Sequence, residues 1–215
     1  IVKTLERCFF FFFSYCKLNK LIKEVCPDFS VVLQFGRKLS PSVLLSLKNN
    51  KIPFIVRISD FGMICSNSHL LNKNDICELC VNGNKWHSVK NRCVQNSYLA
   101  SIINFVASKF HNIIDVYSYI GYYVIPSQFT KNKMIESGFE KQKLVHIPTF
   151  IHCIEKNNKK NNQVLFVGRL VHIKGVHLLI KAINIVNSNG YNNTKYIIIG
   201  NGNGKYKDKL HQSVH

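Results

Sequence analysis

Acidic side chains are scarce in this chain of 215 residues: 11 Asp and Glu stand against 29 Lys and Arg, a formal net charge of +18. Such an excess calls for an anionic partner, whether nucleic acid, an acidic membrane face or a phosphorylated small molecule. Lys, Asn, Ile and Phe are abundant throughout, the residues of A/T-rich codons, so part of the charge reflects composition rather than a binding face. The lysines are scattered, not striped, and no aromatic-plus-basic module such as an RRM signature occurs, so nucleic acid is not expected as a partner. Long apolar runs are missing too. The stretch CFFFFFSYC, Cys8 to Cys16, follows Lys3 and Arg7 but falls well short of the ~20 residues of a membrane helix. No small-residue cleavage site follows it, so it reads as the aromatic face of a helix packed on a sheet. The chain opens on Ile1 rather than Met, as a fragment would.

What is present points to packed α/β structure. Nearly half the residues are apolar, which argues against wholesale disorder, and the length suits one large domain or two small ones. Short apolar runs alternate with helical patterns. Strands are expected at VVLQF (31–35), PFIVRI (53–58), YYVI (122–125), KLVHI (143–147), VLFVG (164–168) and YIIIG (196–200). Between them, SPSVLLSLKN suits a helix with Ser40 as N-cap and Pro41 at its first position. The segment SYLASIINFVASKFHNIIDVY spaces Leu99, Ile102, Ile103, Val106, Phe110, Ile113 and Ile114 along one helical face. PSQFTKNKMIESG starts a helix near Ser127 and stops it at Gly138, and a further helix is expected over 174–187. Continuous apolar strands separated by helices mean parallel sheets covered on both faces. The expected organisation is a first Rossmann-like domain over 1–150 with a cysteine-bearing insertion at 62–96. A polar, asparagine-rich linker (151–163) and the start of a second such domain (164–215) follow.

In open α/β sheets ligands gather at the carboxyl ends of the strands. There, in VLFVGRLVHIKG, the 164–168 strand delivers Gly168, then Arg169, with Lys174 just before Gly175. A guanidinium offers a planar fork of donors to phosphate oxygens, and an ammonium adds a compact charge. The following helix start adds free N–H groups and its positive dipole end. Together these make a diphosphate pocket. The second strand ends in YIIIGNGNG, whose Gly200 and Gly202 would let a ligand approach the backbone.

The stretch VLFVGRLVHIKGVHLLIKAINIV followed by YIIIGNG resembles the donor-binding half of retaining, GT-B-fold glycosyltransferases of the family 4 class. The first half resembles the same family: CPDFSVVLQFGRKLSPSVLLSLKNNKIPFIVRISDFGMIC, then YYVIPSQFTKNKMIESGF and LVHIPTF, carry its landmarks in order. The resemblance runs from about Cys26 onward. It implies two Rossmann-like domains and a nucleotide-diphosphate sugar as donor. The sugar would pass with retained anomeric configuration to a hydroxyl of a glycan or lipid-linked acceptor, in cell-surface polysaccharide or glycolipid synthesis. Arg169 and Lys174 would hold the diphosphate, with Gly168, Gly200 and Gly202 beside them, and no metal cofactor is implied for catalysis. A cytoplasmic setting, with peripheral contact at the inner face of an anionic membrane, goes with it.

The chain also departs from the family pattern. Ser59 stands where the family has a histidine before Asp60, and serine cannot supply an imidazole. Ser59 and Asp60 are the candidate catalytic pair, or else an ordinary strand-end capping pair. Val31, Leu33, Gln34 and Thr149 replace further polar family residues. The Gly-rich loop would precede Ile1, and the paired glutamates would follow His215. A piece of a longer enzyme or an inactive remnant is therefore expected, not a chain that turns over by itself.

Cys65, Cys77, Cys80 and Cys93 follow C-x11-C-x2-C-x12-C spacing, with His69 and His87 in the same segment. C-x2-C lets two thiolates reach one tetrahedral Zn2+, and a structural zinc would supply folding energy to a loop poor in apolar residues. Four free thiols or two disulfides are the other readings. A zinc-stabilised basic binding module is thus the competing function. Cys8, Cys16, Cys26 and Cys153 read as core fillers.

Overall fold

Apolar runs of three to five residues, joined through helices, pair in parallel as the sequence leads one to expect. The structure, a computed structural model, describes residues 8–73, 75–152, 161–191, 193–202 and 204–212, with Arg37 and Lys38 as backbone only. The chain divides into two compact units, Ile1–Ile151 and His152–His215. Most of the asparagine-rich stretch, together with Cys153, lies outside the described residues.

In the first unit the elements are α1 (Phe12–Val25), β1 (Ser30–Val32), α2 (Gly36–Leu39), α3 (Ser42–Asn49) and β2 (Phe54–Arg57), then a short antiparallel pair β3 (Leu71–Asn72) and β4 (Asp75–Ile76). α4 (Trp86–Lys90), α5 (Tyr98–Ile113), β5 (Tyr122–Ile125), α6 (Gln128–Glu136) and β6 (Leu144–His146) follow. The sheet runs β1-β2-β5-β6, all parallel, with Val31 beside Ile55, Val56 beside Tyr123 and Tyr123 beside Leu144. Val56, Tyr123, Ile125 and Leu144 pack with Leu44, Leu47, Ile120 and Met134 in one buried cluster. Caps set the helix ends: Ser97 Oγ accepts from the Ala100 amide (3.3 Å) and Ser127 Oγ from Thr130 (3.2 Å). Gly138, at φ +88°, lets the chain leave α6 in the left-handed region.

Four expectations need correction. The aromatic helix α1 packs chiefly on α3, and it is Ile22, not Phe12 or Phe13, that enters the buried cluster. Asn19 Oδ1 accepts from Ser46 Oγ (2.7 Å) and Asn50 Nδ2 (2.6 Å), while Phe12 and Phe13 stay exposed. Cys16 and Cys26 are exposed and Cys8 half-buried, so none of the three fills the core. On α5 the buried residues are Ser101, Ala107 and His111, whereas Leu99, Ile102, Val106 and Ile113 face outward. The polar pair is tolerated inside because it is bonded: Ser101 Oγ donates to the Ser97 carbonyl (2.8 Å), and His111 Nε2 lies 2.9 Å from the Phe9 carbonyl. α3 also begins one residue later than expected, with Pro41 at the cap position and Ser40 Oγ accepting from the Ser42 amide at 3.2 Å.

The second unit contains β7 (Gln163–Val167), α7 (Val176–Ser188), β8 (Lys195–Ile199) and α8 (Gly204–Gln212). β7 and β8 pair in parallel from Gln163–Lys195 to Val167–Ile199, and the pairing continues past the strands as a bridge between Leu170 and Gly202. Leu170, Val176, Ile180 and Leu210 form its buried cluster, with Phe166, Ile198 and Tyr206 against it.

Candidate phosphate-binding site and cysteine insertion

The carboxyl end of β7 is where the second unit gathers charge. After Val167 the chain runs through Gly168, Arg169 and Leu170 into a 3₁₀ turn, His172–Lys174, and then Gly175 opens α7. Lys174 therefore sits in the turn before the helix, not inside it. Gly175 has φ +71°, a left-handed conformation that favours glycine, and its carbonyl already accepts from Leu178 (2.9 Å) and Leu179 (3.2 Å). Arg169 and Lys174 are both exposed, and among the described residues neither side chain has an ion-pair or hydrogen-bond partner. Two cations without an ion-pair partner among the described residues thus precede a 13-residue helix in the chain, a combination that suits an oxyanion.

The glycines divide into two kinds. Gly168 is not in the left-handed region, and an added Cβ would meet only the Phe166 ring at 3.4 Å. Gly200 and Gly202 are different: a Cβ at the first would collide with the Gly168 carbonyl, and at the second with the Leu170 carbonyl. They allow two backbones to close on each other, with Gly168 N donating to Ile199 O (3.0 Å) and Leu170 N to Asn201 O (2.8 Å). The G-x-G geometry is accounted for by this zipper, so its first duty is internal.

At the carboxyl ends of the first unit's strands, Ser59 and Asp60 follow β2. The Asp60 carboxylate accepts from the Gly62 amide at 2.8 Å, closing a tight turn rather than capping a helix. Ser59 Oγ makes only long contacts of 3.5 Å, to the Leu33 carbonyl and from Arg57. The residue that sequence reading missed here is Arg57, whose Nη2 donates to Thr149 Oγ1 at 3.0 Å and so ties β2 to the segment after β6. Nothing in PFIVRI alone marks that arginine; only the parallel register brings the two strand ends together.

The metal expectation finds no support among the described residues. Among the described residues no three His, Cys, Asp or Glu side chains are arranged to hold one ion. The four thiols do share a neighbourhood. Burial pushes Cys80 up to about 11, and Cys65, Cys93 and Cys77 add to the rise. Cys65 Sγ is instead spent on Asn67 Oδ1 (3.0 Å). Nor does the insertion lack other support: Ile64, Leu70, Val81 and Val89 are buried. Lys85 Nζ donates to the Met63 carbonyl and to Ser108 Oγ, both at 2.9 Å, and Trp86 meets Phe105 edge-on at 5.2 Å. Lys133 reaches Glu78 at 2.7 Å. Lys85→Met keeps the length of the stem but strands a carbonyl and a hydroxyl. The expected result is a loss of about 1–3 kcal/mol in the opening free energy of residues 63–90, read by hydrogen exchange. Chelator treatment is expected to leave that exchange unchanged, and a change would restore the metal reading.

Residues 149–215 match the family described as glycosyl transferases group 1. No curated protein sequence matches the chain. Among solved structures, the crystal structure of Anabaena HepE in complex with UDP is similar at a TM-score of 0.55 and 14% identity, over 93% of this chain and 47% of that one. The chain thus spans about half the length of that structure. The fold is α/β with parallel sheets, similar to that of a GT-B glycosyltransferase.

Proposed function

We propose that this chain is part of a glycosyltransferase that takes a sugar from a nucleotide-diphosphate donor, and that Arg169 and Lys174 grip the donor's diphosphate. One observation carries the reading: the two cations stand unpaired at the carboxyl end of β7, beside the start of α7, within the residues that match the group 1 family. As the sugar leaves, negative charge grows on the diphosphate, and fixed cations already in place stabilise it without reorganising. The bond to the acceptor hydroxyl would form with retained anomeric configuration, as the family resemblance implies. The first unit is read as the acceptor side and the second as the donor side. The test is calorimetric titration with UDP-glucose against a control oligonucleotide of similar charge. Preference for the sugar nucleotide supports the reading. Tight oligonucleotide binding with no UDP-glucose signal overturns it in favour of a basic binding module.

A membrane contact belongs to the same proposal. No helix among the described residues is long and apolar enough to cross a membrane. α1 nevertheless exposes Phe12 and Phe13 near Lys17, whose Nζ lies 5.3 Å from the Phe13 ring, with Lys20 further along the helix. Aromatic and basic groups together suit an anionic interface at the inner face of a membrane, where lipid-linked acceptors sit. Co-sedimentation with vesicles containing anionic lipid, and not with neutral vesicles, is the expected outcome; equal partition into both removes the membrane contact.

A further inference from the structure

Two imidazoles beside the phosphate cations have no part in the reading above. His172 lies in the 3₁₀ turn with Lys174, and His177 is in the first turn of α7. Their rings are stacked, centroids 4.3 Å apart and planes 19° from parallel. His177 Nδ1 is 2.9 Å from Tyr206 Oη, and the Tyr206 ring stands at a steep angle to both imidazoles, 6.2 and 6.4 Å away. Tyr206 is itself packed against the buried cluster of the unit. The pair is therefore held by the turn, by α7 and by α8, in one place.

The charges around it share a sign. Lys174 is in the same turn, Lys181 lies one helical turn beyond His177, and α8 carries Lys205, Lys207 and Lys209 with Asp208. Asp208 is the only carboxylate among the described residues of this unit. Burial, then His172 and Lys181, hold His177 below the ordinary imidazole range. In such a field His177 resists taking up a proton until a counter-charge arrives. A diphosphate on Arg169 and Lys174 is such a counter-charge.

We infer that the stacked His172–His177 pair, steadied by Tyr206, is a titratable part of the diphosphate site that takes a proton from solvent when the anion binds. This rests on the donor reading proposed above. By reciprocity, if the anion favours the imidazolium, the imidazolium favours the anion, so affinity rises as the pH falls through the imidazole range. The sign follows from charge alone: a neutral imidazole adds nothing to anion binding, and a protonated one adds attraction. An anion that lifts one imidazole pKa by about one unit tightens its own binding by at most about tenfold.

The experiment is calorimetry of the chain with UDP-glucose from about pH 7.5 to about pH 5.5, at constant ionic strength, in two buffers of different ionisation enthalpy. The phosphates of this probe are diesters and keep their charge over that range, so any slope belongs to the protein. The expected result is affinity rising up to about tenfold toward acid, with net proton uptake at about pH 6.5. The double variant His172→Gln, His177→Gln is expected to give a flat profile, and Tyr206→Phe to shift its midpoint. Histidine ring resonances of the parent chain should move on adding the probe, a readout that does not depend on the variants folding well. A flat profile in the parent, or a slope surviving in the double variant, overturns the inference and leaves the donor reading standing. Absence of binding at every pH overturns both.

Discussion

Replacing Arg169 and Lys174 together by alanine is expected to weaken UDP-glucose binding at least about a hundredfold, while the fold survives. A charge-assisted hydrogen bond to an anion contributes roughly 1.5–3 kcal/mol, and two such groups are removed. The single variants should each lose about ten- to a hundredfold, with less than full additivity, because both act on one diphosphate. Arg169→Lys separates charge from shape: it keeps the cation but loses the planar fork, and about a tenfold loss is expected. Both side chains are exposed and unpaired among the described residues, so thermal unfolding should move by no more than about 0.5 kcal/mol. Affinity in the parent should fall with added salt, and the double variant should show a shallower dependence. If the double variant binds within about twofold of the parent, the two cations are ordinary surface groups.

How much of this was legible beforehand depends on which force decides each feature. Strand positions were readable because a parallel strand between helices is apolar along most of its length, so Tyr122–Ile125 stands out by composition although Tyr122 itself is exposed. Helix starts were readable where a serine caps them, as at Ser127. The face of α5 was not. Periodicity marks an apolar stripe but not the neighbour that will cover it, and here Ser101 and His111 went inside because each found a backbone partner. At the candidate phosphate site the cations were visible as residue types in a fixed spacing. The state of Lys174, in a turn ahead of the helix, depends on the left-handed Gly175. The cysteine spacing was equally visible but less decisive, since C-x2-C says only that two thiols can meet. Apolar burial and the Lys85 bridge hold the loop instead.

The glycines after β8 provide the sharpest separation between a ligand role and an internal one. Gly202→Ala places a methyl group against the Leu170 carbonyl, and Gly200→Ala places one against the Gly168 carbonyl. Both obstacles are main chain, so no rotamer change relieves them, and β7 must draw away from the β8 end. The amides that report this are Gly168, bonded to the Ile199 carbonyl, and Leu170, bonded to the Asn201 carbonyl. Hydrogen exchange at those two amides is expected to speed up about a hundredfold or more in either variant, equivalent to ~3 kcal/mol of local stability. Affinity for UDP-glucose should then fall as a consequence, because Arg169 lies between the two zippered positions and loses its fixed bearing. Were the glycines present only to admit a ligand, exchange would stay at the parent rate while affinity alone dropped. Exchange at Gly168 and Leu170 that is unchanged in Gly202→Ala would therefore reassign that glycine to the ligand and remove the backbone zipper as the element that holds Arg169 in place.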